Sequence, residues 1–452
     1  MNSRGWSALL RTLSSNPEPL RRKLITWVTK GGLALLDQGV SAGSNFVISI
    51  LLARWLSAEQ YGMYAVAFAV YMFLLNFHQA LLLEPMLVFG GSVYRDSLRG
   101  YVKALLLVHG GMSVIMAFGL CVSATVVSKL TQANALPSAL VGVGLAAPAV
   151  LLLWLTKRTF YLQFSPAPSA GAAFLYCALT MGGLAFVYKH NQLSPLVAFL
   201  LMGLGGLGTS MVLLIYLHLR LPSSQQAPSL WETWCRHWRY GRWALGANAM
   251  MWIPINASYL LLSRFSGMTE AGELKALMNF AAPMLQTCSA LHTLLLPYAA
   301  LRLQAKGGAG VSVILRRMTL LCVSCAIPYW VVLLLLQATA FRVLYAGRYV
   351  EVAYLLPVVA LASVAGSAFF GPSIVLRSME SPGLVFAAVS VSSCVSIAIG
   401  IPLTQAWGVA GAVWSIALSQ TLAFVAAVVL LRRKARRAFE TAPPLFALSA
   451  NE

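Results

Sequence analysis

The sequence predicts an all-α protein that crosses a membrane about twelve times. Of its 452 residues, 59% are hydrophobic and only 10% are charged, whereas a soluble domain carries about 25% charged residues. The apolar residues come in blocks of about 20, which is the length of helix that crosses the hydrocarbon core of a bilayer. A block inside a bilayer must satisfy its own backbone hydrogen bonds, so we expect these blocks to be helices.

The apolar blocks define the predicted spans. The first block is too long for the apolar core of a cleaved signal, so we expect it to remain as a span. Glycines at 203, 205, 206 and 208 fall in the sixth block, where small residues allow helices to pack closely. The twelve predicted spans are residues 31–53, 61–83, 104–127, 138–156, 168–188, 194–218, 243–263, 276–300, 318–337, 352–376, 383–403 and 408–431.

The distribution of basic residues predicts the orientation. The chain has 32 Lys and Arg residues against 12 Asp and Glu. If the N-terminus is cytoplasmic, 25 of the basic residues fall in inner segments and 7 in outer segments. Cytoplasmic segments are enriched in Lys and Arg, so this bias predicts that both termini are cytoplasmic. Because the basic residues lie between apolar blocks, topology explains them and no nucleic-acid partner is expected.

The long basic segment near the middle of the chain divides it into two similar halves. We expect a cytoplasmic N-terminal segment at 1–30, a six-helix bundle at 31–219, a connector at 220–242, a second bundle at 243–431 and a basic tail at 432–452. Four tryptophans and three arginines lie close together at 231–243. This run indicates either an interfacial helix at the inner leaflet or ordinary aromatic anchoring of the seventh span.

Two corresponding spans carry polar side chains at steps of four, which places the side chains on one helix face. Polar faces inside a membrane are costly unless they face protein or water. We therefore expect a water-filled, substrate-binding cavity between the halves, lined also by Tyr71 from an aromatic stripe in the second span. The two polar faces are Asp37, Ser41 and Asn45 in the first span and Asn248, Trp252 and Asn256 in the seventh.

The roles of three charged residues in or beside these spans each have two interpretations. Asp37 is the acidic residue that we place within a span, where it could bind a coupling cation or proton or pair with an intramembrane arginine. Alternatively, it lies close enough to the inner end to reach hydrated headgroups. Arg54 and Arg264, at the outer ends of their spans, either bind a substrate phosphate in a bidentate manner or anchor the helices at the interface.

Motifs of enzymes and metal sites are not found. The sequence has no phosphate-binding glycine loop, no HExxH and no GxSxG. Cys322 and Cys325 form a CxxC inside a span, without neighbouring histidines, so we expect no metal and no cofactor. The predicted outer loops of about five to fifteen residues are too short for an ordered catalytic domain, so we do not expect an enzyme.

Three short segments carry a family resemblance. Residues 53–64, ARWLSAEQYGMY, resemble the A-R-x-L-[GS]-x-x-x-[YF]-G-x-[YF] segment that follows the first span of Wzx-type polysaccharide and O-antigen flippases. Residues 407–414, WGVAGAVW, resemble the opening of the twelfth span of that family, and residues 377–382 lie where it has a short polar turn. These flippases belong to the multidrug/oligosaccharidyl-lipid/polysaccharide (MOP) exporter superfamily.

The resemblance implies a function. A protein of this kind has two six-helix bundles in a V, lies in the bacterial inner membrane and works by alternating access. The implied cargo is an undecaprenyl-diphosphate-linked oligosaccharide, moved from the inner to the outer leaflet for exopolysaccharide or O-antigen export. Implied partners are membrane lipids and the polymerase and export proteins of the same pathway. The alternatives are a cation-coupled multidrug efflux transporter of similar fold and a membrane enzyme of polysaccharide assembly.

Overall fold

The computed structural model describes residues 17–440, apart from positions 92, 131–134, 164, 221–227, 307–310 and 380. Over these residues the protein is helical, with short turns and no strands, which confirms the predicted fold class. Most of the predicted N-terminal segment, part of the connector and the end of the basic tail lie outside the described residues.

Seven helices form the first half of the chain. Ser57 caps the second of them, accepting a hydrogen bond from the Gln60 amide while the Gln60 side chain accepts one from the Ser57 amide, a capping box that fixes where the helix begins. This helix continues through a π-helical turn, Gln79–Leu83, into α3. The helices are α1 (Pro17–Trp55), α2 (Ala58–His78), α3 (Glu84–Gly90), α4 (Leu98–Leu130), α5 (Ala135–Leu162), α6 (Ala167–Lys189) and α7 (Pro195–Arg220).

Six more helices follow in the second half. The last is bent sharply at Gly408, whose φ of 54° lies in the left-handed region that glycine adopts without strain. A 3₁₀ turn, Val350–Leu355, precedes α12. The helices are α8 (Leu230–Phe265), α9 (Met268–Lys306), α10 (Val311–Leu335), α11 (Gln337–Tyr345), α12 (Leu356–Ser378) and α13 (Pro382–Glu440).

Nine helical segments of the described chain are long and apolar enough to cross a membrane. One of them, Pro382–Arg436, contains the predicted eleventh and twelfth spans, on either side of the break at Gly408. The predicted seventh and eighth spans lie in α8 and α9, which are not among the nine. All twelve predicted spans therefore coincide with helix, although the count of twelve membrane crossings stays a prediction.

Each half packs mainly on itself. In the first half α5 lies between α4 and α7, and in the second half α12 packs on α9, α10 and α13. A Cβ added to Gly203 or Gly206 would meet the α5 backbone at Ala146 or Val150, at 2.8 and 3.1 Å. The prediction that these glycines permit close helix packing is confirmed.

The helices extend beyond the predicted spans at two functionally important places. The fourth span was expected to end at 156, but α5 continues to Leu162, so Lys157 and Arg158 lie on a helix and not in a loop. The second span was expected to end at 83, but the helix continues through the π-helical turn to Gly90. Glu84 therefore lies inside an apolar helical segment, Ala58–Gly90, and not in a loop.

Helix α8 connects the halves. The tryptophan- and arginine-rich run expected in the connector is continuous with the predicted seventh span in one helix, Leu230–Phe265. The beginning of α8 packs on α2, the π-helical turn and α3 of the first half, while α8 also packs on α13 and α9 of the second half.

Candidate functional site

Asp37 is fully buried and lies at the centre of a polar cluster between α1 and α5. Its Oδ1 is 2.5 Å from the Lys157 ammonium nitrogen, and its Oδ2 accepts a hydrogen bond from the Tyr161 hydroxyl at 2.6 Å. Lys157 also donates to the Ser41 hydroxyl at 2.8 Å. The side chains of Lys157 and Asp37 are 5% and 0% exposed, so this ion pair is almost completely removed from solvent.

The burial of Asp37 excludes one of its two interpretations, while a role in coupling to a cation or proton stays a prediction. A carboxylate that reaches hydrated headgroups would be exposed, so that reading is wrong. The expectation of an intramembrane partner is correct in kind, but the partner is a lysine and not an arginine. Lys157 and Tyr161 lie one turn apart on α5, so both face α1, and the two groups bind one oxygen each of the same carboxylate.

Replacing Tyr161 by phenylalanine is expected to lower the free energy of unfolding by about 1–3 kcal/mol. The change removes the hydroxyl that donates to Asp37 Oδ2 and leaves part of a buried carboxylate unsolvated. Thermal unfolding in detergent measures the effect. Tyr188→Phe is the control because Tyr188 is 42% exposed near the end of α6. Equal melting temperatures for the two variants would show that the bond contributes nothing to stability.

A second polar cluster lies where the first half meets α8. Asn248 Nδ2 is 3.5 Å from Glu84 Oε1, which joins the predicted polar face of α8 to α3. Arg158 of α5 and Arg377 of α12 both interact electrostatically with Glu84, and Arg158 also interacts with Asp37. The two clusters together contain three cationic residues and two acidic residues, so positive charge is in excess. The cations are Lys157, Arg158 and Arg377, and the acids are Asp37 and Glu84.

The remaining predicted residues of the polar faces lie along the contact between the halves. Trp252 donates its indole N–H to the Ala69 carbonyl of α2 at 3.0 Å, and Asn256 donates to the Trp252 carbonyl at 3.1 Å. Tyr71 is buried on α2, while Asn45 is half-buried on α1. The structure thus brings the α8 face against α2, and directs the Asp37 end of the α1 face towards α5.

Arg54 and Arg264 are both exposed at the ends of their helices. Arg264 stacks on the Phe265 ring, with its guanidinium carbon 5.8 Å from the ring centroid. Their position agrees with anchoring at the interface, and the phosphate-binding role stays a prediction. A different cation lies between the halves: the Lys275 ammonium of α9 is 4.1 Å from the centroid of Phe68 on α2. Sequence reasoning missed this contact, because Lys275 adjoins a predicted outer loop.

A buried hydrogen-bond network joins the halves at the ends that we predict to be outer. Ser49 donates to Asn279 Oδ1 at 3.0 Å, and Asn279 Nδ2 donates to the hydroxyls of Tyr61 and Tyr345 at 3.0 and 3.2 Å. Tyr345 in turn donates to the Ala276 carbonyl at 2.8 Å. Asn279 thus ties α1 and α2 to α9 and α11, with the polar atoms of its amide satisfied.

The loop after α11 closes over this network. Arg348 donates to the Leu56 carbonyl at 2.5 Å, which satisfies a backbone acceptor at the end of α1. The ring of Tyr349 lies 5.6 Å from Tyr345 and 6.0 Å from Tyr61, between centroids. Burial raises the pKa of the Tyr349 phenol to about 12, so this ring stays neutral at ordinary pH. The halves are therefore in firm contact at their predicted outer ends.

Comparison with solved structures shows which proteins share this architecture. An inward-facing multidrug resistance MATE family transporter of the MOP superfamily matches with a TM-score of 0.75 and 10% identity, over 91% of this chain and 100% of that chain. The lipid II flippase MurJ, in an inward closed conformation, matches with a TM-score of 0.67 and 10% identity, over 91% of both chains. The MATE multidrug transporter DinF-BH matches with a TM-score of 0.67 and 15% identity, over 91% of this chain and 96% of that chain.

These likenesses define the class of fold. The chain has the architecture of MOP-superfamily transporters, shared by multidrug transporters and a lipid flippase. Neither a protein-family model nor a curated protein sequence matches the chain. At 10–15% identity the structural match shows the fold alone, and any function must be argued from the residues of this chain.

Proposed function

We propose that the protein is a flippase that moves an undecaprenyl-diphosphate-linked oligosaccharide from the inner to the outer leaflet of the bacterial inner membrane. The excess of cationic side chains around the two polar clusters is the observation that carries this proposal, with Lys157 buried, Arg158 half-buried and Arg377 exposed. Lys157 and Arg158 on α5 and Arg377 on α12 outnumber Asp37 and Glu84. An anionic diphosphate on a lipid carrier has the complementary charge.

We propose different tasks for the three cations. Lys157 already forms an ion pair with Asp37 at 2.5 Å, so it is poorly placed to bind a substrate. The Nε of Arg158 is buried and has no hydrogen-bond partner among the described residues, and Arg377 is exposed on the opposite half. Arginine binds phosphate oxygens in a planar, bidentate manner. Arg158 and Arg377 are therefore the proposed diphosphate-binding residues, with Asn248, Trp252 and Asn256 along the path of the sugar.

A cation-coupled multidrug transporter is the second candidate, because multidrug transporters share the fold. Such a protein needs a carboxylate that can bind the cation or drug. Asp37 is neutralised by Lys157 and bonded to Tyr161, which argues against that use in this conformation. A coupling role for Asp37 requires the Lys157 pair to open during the cycle. A role in enzymatic polysaccharide assembly has no supporting site among the described residues.

Flipping of a fluorescent undecaprenyl-diphosphate saccharide in vesicles that contain the purified protein tests the proposal. We expect Arg158→Gln and Arg377→Gln each to lower the initial rate by about tenfold or more, since each removes a charged hydrogen bond of about 1.5–3 kcal/mol. Arg433→Gln is the matched control, because Arg433 is an exposed arginine near the end of α13. Equal loss in all three variants, or flipping no faster than in empty vesicles, would refute the proposal.

Deletion of the gene separates the two candidates in the cell. We expect surface or exopolysaccharide to be lost, while the tolerated concentrations of unrelated drugs stay the same. Complementation with Asp37→Ala or Asn256→Ala should restore less polysaccharide than the unmodified chain. Normal polysaccharide together with a changed drug-resistance profile would instead favour the multidrug transporter.

A further inference from the structure

The structure contains a buried histidine pair that neither the proposed cargo site nor the contact at the outer ends uses. His78 Nε2 of α2 lies 3.1 Å from His109 Nδ1 of α4, and the rings meet edge to face with centroids 5.2 Å apart. His109 Nε2 is 3.3 Å from the Ser113 hydroxyl. The two histidines are 0% and 6% exposed.

The arrangement leaves one ring nitrogen free. In the neutral pair, His78 Nε2–H donates to His109 Nδ1, and His109 Nε2–H donates to Ser113. This assignment leaves the buried His78 Nδ1 as a bare acceptor, in keeping with its having no hydrogen-bond partner among the described residues. The opposite assignment would bury an unpaired N–H, which proteins avoid more strictly than an unpaired acceptor. A proton taken up from water must therefore bind His78 Nδ1, which gives the pair a charge of +1.

Among the described residues, no carboxylate is placed to stabilise that charge. His109 is the one titratable side chain that acts electrostatically on His78 within the described part of the chain. On the side of α5, the Pro148 carbonyl lies next to His109. The nearest acidic group further along the same helical run is Glu84, which is engaged by Asn248, Arg158 and Arg377.

The pair adjoins the only segment of π-helix in the described chain. His78 is the residue immediately before the turn Gln79–Leu83, and single π-helical turns are common at functional sites. The Leu81 carbonyl in this turn accepts a hydrogen bond from His237 Nδ1 of α8 at 2.9 Å, and His237 Nε2 is 2.7 Å from the Tyr101 hydroxyl. A Cβ on Gly241 would lie 2.7 Å from the Ala80 carbonyl, so α8 packs directly on the turn.

We propose that His78 and His109 form a proton-binding site, and that proton uptake releases the π-helical turn from α8. The protonated pair carries a buried charge and an N–H at His78 Nδ1 without an acceptor, both of which favour a conformation in which water reaches His78. Since the turn holds α8 through Leu81 and Ala80, hydration of His78 loosens the contact between the first half and the helix that connects it to the second. This inference does not depend on the identity of the cargo.

Hydrogen–deuterium exchange of the full-length protein in detergent tests the proposal, with rates corrected for the intrinsic effect of pH. On going from about pH 7.5 to about pH 5.5, we expect exchange in peptides covering 79–90 and 230–241 to rise by about tenfold in the unmodified chain. His78→Gln keeps a polar side chain that does not titrate, and should reduce the response to less than about twofold. His190→Gln should keep the full response, because His190 is exposed at the other end of the protein.

Two further variants keep the test decisive. His109→Gln should also remove the pH response, so a folding defect in His78→Gln alone would not prevent a result. Glu84→Gln should leave the response intact. The proposal is overturned if the unmodified chain shows no pH response, if the response survives in the His78→Gln/His109→Gln double variant, or if Glu84→Gln alone removes it.

Discussion

Lys157→Met is expected to lower the free energy of unfolding by about 3–5 kcal/mol, because it leaves the Asp37 carboxylate buried and without its counter-charge. The Asp37 side chain is 0% exposed, and the 2.5 Å pair with Lys157 is its only salt bridge among the described residues. Tyr161 would continue to donate one hydrogen bond, which cannot replace a full positive charge. Thermal and chemical unfolding in detergent would measure the loss.

The double variant Asp37→Leu/Lys157→Met provides the control. Replacing both members of a buried ion pair by apolar residues is often neutral or stabilising, so we expect this variant to recover most of the stability lost in Lys157→Met. If Lys157→Met is as stable as the unmodified chain, Asp37 is not charged in its buried position. If the double variant is stable but does not transport, the pair serves the transport cycle and not the folding of the protein.

The sequence predicted the helices well because the bilayer imposes a simple rule on them. Blocks of about 20 apolar residues must be helical, and every predicted span is helical over most of its length. The ninth span crosses the break at Leu336 between α10 and α11, and the tenth begins in the 3₁₀ turn. The ends of the helices were less predictable. Lys157 follows an apolar block and was assigned to a loop, because a charge normally ends a span. Lys157 remains inside α5 because the carboxylate of Asp37, far earlier in the chain, neutralises its positive charge.

Contacts between residues far apart in the chain cannot be read from local sequence patterns, and this explains which site residues the sequence could not reveal. Steps of four could be recognised on α1 and α8 because helix periodicity is local information. Residues of both faces make polar contacts with other helices, and their role in lining a substrate cavity stays a prediction. The partners of those faces come from other helices: Tyr161 for Asp37, Glu84 for Asn248 and the Ala69 carbonyl for Trp252. His109 lies in an ordinary apolar block, and its pairing with His78 depends on how α4 packs on α2. A set of related sequences with covarying positions is the signal that could have shown these pairs.

Gly62→Ala is expected to disrupt the contact between the halves at their predicted outer ends. A Cβ at residue 62 would overlap the Met268 carbonyl of α9, and a Cβ on Gly272 would lie 2.9 Å from the Ala58 carbonyl of α2. The two helices approach this closely because both positions are glycine. Neither backbone can move aside without displacing the Asn279 network further along α9.

Overpacking of this kind costs about 1–3 kcal/mol or more, so we expect amide exchange at 268–279 in Gly62→Ala to rise by about tenfold. Gly110→Ala is the matched control, since it lies within α4 and an added Cβ there meets no atom within 4 Å. It should leave exchange at 268–279 unchanged and favour the helix slightly. In the proposed alternating-access cycle this outer contact opens, so Gly62→Ala should also shift the protein towards a conformation that is open on that side. Unchanged exchange at 268–279 in Gly62→Ala would mean that α2 and α9 do not hold this contact in solution.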